Sequence, residues 1–310
     1  MSGTAEIDGY QDIHHNMRFW ITTLADILAR AAENGQPTGP TGAAETGQPT
    51  GPTGAAGESV VVYDIGANDG ELTLPLAGSR LADGRLSGGE IAAEKTRLPV
   101  QVVAFEPQPA ARARLMARAA ERNLSVALWG TADLTVVPVA LGDRDDLIEL
   151  HVFTDDTFSS LHSRPTEELE RYSLQVVETV TTRMRPLDDL VSGGVVPPPH
   201  LVKIDVEGAE RAVLAGARET LSRYHPPVLV EFSCPNSANA GYDRMEIVDF
   251  LRAAGYDRLA GLFRNQDHAL YPDDAFDDCR IWNILAVSSG QTPTVTVAMD
   301  QYHAPWGGSS

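Results

Sequence analysis

Basic residues are scarce in this chain. Lys and Arg number 24 against 43 Asp and Glu, a formal charge of −19 over 310 residues. Without a basic footprint the chain is poorly suited to a phosphate backbone or an anionic membrane surface, so no nucleic-acid partner is expected. Cysteine is almost missing: Cys234 and Cys279 are too few for a disulfide framework and have no metal-ligand spacing. No apolar run reaches the roughly 18 residues of a membrane span, which excludes membrane insertion by a helix. The opening MSGTAEIDGYQDIHH lacks the basic-then-apolar order of a secretory leader. These absences predict a soluble, cytoplasmic protein.

The length suits one large α/β domain with appendages. Ile13, Met17, Trp20, Ile21, Leu24, Ile27 and Leu28 fall near one face of a helix over Ile13–Ala32. That helix either packs on the domain or a partner subunit, or covers a substrate site. Next, GQPTGPTGAA occurs at Gly35–Ala44 and again at Gly47–Ala56. Gly, Pro and Thr without apolar periodicity cannot bury enough surface to offset ordering entropy, so a flexible linker is expected.

The stretch that organises the rest is VVVYDIGANDG at Val60–Gly70. A continuous apolar, β-branched run reads as a buried parallel strand. Gly66 and Gly70 then let the backbone turn sharply into a helix beginning at Glu71–Ala77 and approach a ligand closely. The spacing is G-x-x-x-G, not the dinucleotide fingerprint. A second strand, Val102–Phe105, ends in Glu106, 36 residues beyond Gly70. The usual distance in nucleotide-binding units is about 20, which marks Gly78–Pro99 as an inserted loop.

Further on, Ala110–Arg122 is a helix begun by prolines, and Val126–Trp129, Leu134–Val139 and Ile148–Phe153 are strands. Val176–Thr182 reads as an edge strand, Leu187–Val191 as a short helix in which Asp188 and Asp189 serve as caps. LVKIDV at Leu201–Val206 is a central strand, followed by a helix over Ala209–Leu221 and a strand at Val228–Phe232. Met245–Ala254 is helical, and Leu259–Phe263 and Ile281–Val287 complete the sheet. The tail from Ser288 has no assignable pattern. Strands alternating with helices imply a parallel α/β sheet.

In such sheets ligands lie outside the carboxyl ends of the strands. Glu106 at the second strand's end can accept both hydroxyls of a ribose. Acids such as Asp64 favour a cation near the turn, and no basic residue stands there to hold a pyrophosphate. Lys203, Asp205 and Glu207 alternate, so period two places them on one face if the strand persists. Charges inside an apolar strand are costly unless paired, which marks a site. Asp205 or Glu207 can take a proton from a substrate hydroxyl, with Lys203 neutralising them; a structural ion-pair cluster is the alternative. Binding of a divalent ion by Asp205, Glu207 and a third carboxylate is a weak signal, and no metal is assigned. Glu231 faces the same edge, and Ser159 and Ser160 lie in a turn that can reach it. His14, His15, His162, His200, His225, His268 and His303 show no ligand spacing.

Together VVVYDIGANDG, VVAFEPQP, VVPVALGD, RPLDDL, LVKIDVEGAERAVLAGARETL and PPVLVEF closely resemble the FkbM family of S-adenosylmethionine-dependent methyltransferases, over roughly Val60–Phe232. The resemblance implies a Rossmann-like class I methyltransferase: an α/β, doubly wound, mostly parallel sheet with an N-terminal helical extension. It implies that Asp64, Gly66, Asn68 and Gly70 hold the amino-acid part of S-adenosylmethionine, Glu106 its ribose, and Ala140 and Leu141 its adenine. Residues 1–34 are then a helical segment, 35–58 a linker, 59–290 the methyltransferase domain and 291–310 a tail. The expected reaction is O-methylation of a hydroxyl on a small molecule, such as a sugar, a polyketide or another specialised metabolite, by an enzyme able to form homo-oligomers. N-methylation of a peptide or amine, and a non-catalytic binding protein on the same fold, are the alternatives.

Overall fold

The computed structural model describes residues 5–33, 59–79, 99–263, 268–290 and 292–304. The Gly/Pro/Thr linker and most of the insertion after Gly78 lie outside the described residues. The chain begins with helix α1 (Ala5–Glu33), followed by β1 (Val60–Ile65), β2 (Val100–Phe105), α2 (Pro109–Glu121), β3 (Val126–Leu128), β4 (Leu134–Val137), β5 (Ala140–Leu141) and β6 (Asp146–Phe153). Then come α3 (Thr166–Arg171), β7 (Val176–Arg185), α4 (Leu187–Ser192), β8 (Leu201–Ile204), α5 (Glu210–Ala215), α6 (Arg218–Tyr224) and β9 (Val228–Glu231). The remainder is α7 (Cys234–Asn239), α8 (Met245–Ala253), β10 (Arg258–Phe263), β11 (Ile281–Val287) and α9 (Pro293–Gln301).

Among the described residues an eight-stranded sheet runs β10-β11-β9-β8-β1-β2-β4-β3, parallel except that β11 is antiparallel to both its neighbours. This is the mostly parallel α/β sheet that the strand-and-helix alternation predicts. Every residue of β1 is buried, because both faces of the sheet are covered. Val61, Tyr63 and Ile65 enter one core with Leu187, Leu214 and Leu251 of the helices on that side. Val60 and Val62 enter the other, with Leu115 of α2, Met299 of α9 and the apolar face of α1. On α1, Met17, Trp20, Ile21, Leu24 and Leu28 are buried, and Trp20 packs edge-on against Tyr302 at 5.1 Å. Of the readings open for this helix, packing on the domain is the one observed: it is a layer of the core.

Several local expectations are corrected. Glu71–Gly78 forms successive turns and not a helix, because Pro75 has no N–H to offer and the Thr73 hydroxyl is drawn to Asp64 at 2.5 Å. The helix expected over Ala209–Leu221 is broken into α5 and α6 at Gly216, where an added Cβ would lie 1.9 Å from the Gly142 carbonyl oxygen. Asp188 does not cap its own helix; its carboxylate accepts from the backbone N–H of Glu219 and Thr220 at the start of α6. The strand read as an edge, β7, is the middle of a separate sheet ordered β5-β7-β6. The unassigned tail contributes α9. Cys234 and Cys279, too few for a framework, nonetheless form one disulfide with Cα atoms 5.7 Å apart. No described helix is long and apolar enough to cross a membrane.

Candidate functional site

The site forms where β1, β2, β8 and β9 end side by side. At the end of β1, Gly66 (φ +79°) donates its N–H to the Phe105 carbonyl. A Cβ there would lie 1.9 Å from the Asp205 carbonyl oxygen, so no other residue fits without moving β8 away. The turn brings the Asn68 N–H to Glu106 Oε2 at 2.7 Å, while the Gln108 N–H reaches Oε1 at 2.8 Å. Burial pushes the Glu106 carboxyl up to about 7, against the pull of these two N–H groups. Gly66, Asn68, Glu106, Ala140 and Leu141 line one cavity. Ser159 joins them there.

Asp64 and Gly70 stand back from it. Asp64 is buried, with Oδ1 2.9 Å from Lys203 Nζ and Oδ2 on the Thr73 hydroxyl. A Cβ on Gly70 would lie 2.3 Å from Leu115, so this glycine serves the packing of α2.

Lys203, Asp205 and Glu207 do not form one ion cluster. The strand stops at Ile204, and Glu207 takes a left-handed conformation (φ +54°), which ends the alternation. Lys203 also donates to the Gly66 carbonyl at 2.7 Å and lies 3.8 Å from Asp205. Burial disfavours its charge, but Asp64 and Asp205 outweigh that and raise its pKa. Lys203 thus secures the turn. Glu207 belongs to a second group: Oε2 accepts from Arg164 Nη2 at 2.6 Å and from Asn236 Nδ2 at 3.0 Å, and its backbone carbonyl accepts from Ser160 Oγ.

That second group surrounds an adjoining cavity lined by Asp205, Glu207, Glu231, Asn236, Trp282 and Asn283, together with Phe158 and Tyr172. Asp205 and Glu207 border both cavities. Asn236 Nδ2 also bridges the two Glu231 oxygens at 3.0 Å. Glu207 and Glu231 are both raised, first by burial and then by neighbouring carboxylates. Arg164, sitting over the Phe158 ring at 5.0 Å, opposes the shift on Glu207, and the Asn236 hydrogen bond opposes it on Glu231.

Sequence reasoning missed Arg164, Asn236, Trp282 and Asn283. The first lies in a segment without a pattern, Asn236 lies in the short polar helix α7, and Trp282 and Asn283 stand near the start of the apolar strand β11, a weak signal. No histidine lines either cavity among the described residues.

A family model described as the methyltransferase FkbM domain matches residues 64–258. The chain is 29% identical over 171 residues to the 2-O-methyltransferase NoeI of Sinorhizobium fredii, an alignment covering 53% of this chain and 59% of that protein. The match therefore spans about three fifths of that relative's length. Among solved structures, methyltransferase FkbM from Methylobacillus flagellatus is 16% identical with a TM-score of 0.41, covering 74% of this chain and 44% of that one. An rRNA methylase from Streptococcus thermophilus is 10% identical with a TM-score of 0.34, covering 74% of this chain and 87% of that one.

Proposed function

The chain belongs to the FkbM methyltransferase family, and from that premise we propose that it transfers a methyl group from S-adenosylmethionine to a hydroxyl oxygen of a small molecule. The observation that carries this reading is the position of Asp205 on the boundary of the two cavities.

The cavity beside β1 and β2 suits the cofactor. Glu106 has a buried carboxylate at the second strand's end, held in place by two backbone N–H groups and still able to accept from hydroxyls. Gly66, which lets the turn close against the Asp205 carbonyl, lines this cavity. Gly66 and Asn68 would hold the amino-acid part, Glu106 the sugar, and Ala140 and Leu141 the base. S-adenosylmethionine supplies an electrophilic methyl on a sulfonium, whose bonding pair returns to sulfur when the methyl leaves.

The residues of the chain then have two tasks. One is alignment, supplied by the shared wall between the cavities. The other is removal of the acceptor hydroxyl's proton, which passes to the Asp205 carboxylate as the acceptor oxygen takes the methyl. Similarity to a 2-O-methyltransferase supports oxygen over nitrogen as the acceptor atom. The test is to incubate the protein with S-adenosylmethionine and panels of hydroxylated and aminated small molecules, measuring S-adenosylhomocysteine and product mass. Turnover of hydroxylated acceptors is expected. Turnover confined to amines would overturn the oxygen assignment.

A further inference from the structure

We propose that Asp205, Glu207, Glu231 and Asn283 form a binding site for a divalent, oxygen-preferring cation such as Mg²⁺ or Mn²⁺. The three carboxylates come from the end of β8, the turn after it and the end of β9, and each offers an oxygen within 4.8 Å of the others. Acidic clusters are common at protein surfaces and do not by themselves make a site.

The second observation is Asn283. It is the cross-strand partner of Glu231 between β11 and β9, so the two side chains leave the same face of the sheet. It lines the same cavity and is 2% exposed, yet its Oδ1 has no hydrogen-bond partner among the described residues. Leaving a buried acceptor unanswered is destabilising. A cation in the cavity satisfies this oxygen and the carboxylates together.

The donor set specifies the metal class. Three carboxylates and an amide oxygen, without sulfur or imidazole, suit a hard cation that keeps several waters. On Glu207, Arg164 and Asn236 both take Oε2, which leaves Oε1 for the metal. Asn236 Nδ2 donates to Glu207 and Glu231, and entry of a cation requires that amide to turn over. The turn presents Oδ1 in place of Nδ2, at the cost of one long bond from Arg164 at 3.4 Å. Lys203, shared between Asp64 at 2.9 Å and Asp205 at 3.8 Å, and Arg164, 2.6 Å from Glu207, offset only part of the cluster's charge.

The site lies on the acceptor side, so its catalytic meaning rests on the methyl-transfer reading, while binding of the ion does not. The test titrates Mn²⁺ into the full-length, chelator-stripped protein, following free Mn²⁺ by electron paramagnetic resonance, with S-adenosylhomocysteine affinity measured separately by calorimetry. Saturable binding is expected, weakened about tenfold or more in Glu231→Gln and weakened also in Asn283→Leu, with Mg²⁺ competing. S-adenosylhomocysteine affinity should stay within a few-fold in both variants. Should Glu231→Gln fail to fold, Asp205→Asn, at the cavity edge, gives the same readout. No Mn²⁺ binding at millimolar concentration, or binding undiminished in the folded variants, overturns the site. An unsubstituted protein that binds Mn²⁺ but not S-adenosylhomocysteine would instead count against the methyl-transfer reading.

Discussion

Lys203 Nζ lies 2.9 Å from Asp64 Oδ1, with both side chains no more than 2% exposed and their backbones paired between β8 and β1. Removing one partner strands the other charge in the core. Asp64→Asn and Lys203→Met should each lower stability by about 3–5 kcal/mol. The double variant Asp64→Leu/Lys203→Met should recover much of the loss. Chemical denaturation checks this, and single losses below about 1 kcal/mol would mean that water already reaches the pair.

Glu106 titrates near neutrality because folding buries its charge. A carboxyl raised from 4.5 to about 7 stabilises the fold fully below the unfolded value, and that contribution is lost as pH climbs through the folded value. Between pH 5 and 8, therefore, melting of the ligand-free protein should fall with rising pH more steeply than that of Glu106→Gln. Parallel curves would place the titration elsewhere. Glu106→Ala should also weaken S-adenosylhomocysteine by about 1–3 kcal/mol, the cost of losing hydrogen bonds to a charged acceptor.

Asp205→Asn separates a base from a structural acid. Asp205 is 3.8 Å from Lys203, which has Asp64 as its closer partner. The variant should therefore keep its melting temperature and cofactor affinity, while single-turnover methyl transfer falls about 10²–10⁴-fold. A variant that is destabilised but fully active would remove Asp205 from the reaction.

The Cys234–Cys279 bond spans 45 residues. In the chain-entropy picture, closing a loop of that length stabilises the fold by about 4 kcal/mol. Reduction, or replacement of both cysteines by Ser, should lower the unfolding free energy by up to that amount. A shift under about 0.5 kcal/mol would show that the contacts around α7 hold without the bond.

The parts of this molecule legible in the sequence are those fixed by local rules. The apolar run of β1, the glycine turn and Glu106 at a strand's end are each visible within a short window, and the fold places all three there, although turns replace the helix expected after Gly70. The site's acceptor side was only half legible. Alternation brought Lys203, Asp205 and Glu207 together on paper, but the backbone turns left-handed at Glu207 and sends it to Arg164, 43 residues away in sequence. Asn283 meets Glu231 only through antiparallel pairing of β11 with β9, a long-range choice that no local pattern announces. The broken helix at Gly216 was hidden for the same reason, since its cause is a glycine 74 positions earlier.

That contact between Gly216 and Gly142 also sets a tolerance. The small sheet carrying Ala140 and Leu141 is braced against the helices of the large sheet at a place with no room for even a methyl group. Any ring that lies on Ala140 and Leu141 meets a wall whose position is dictated from behind. A side chain introduced at Gly216, some distance from bound ligand, would move that wall by the thickness of a carbon atom. Its effect would appear as a change in which ring fits, with every lining residue still in place.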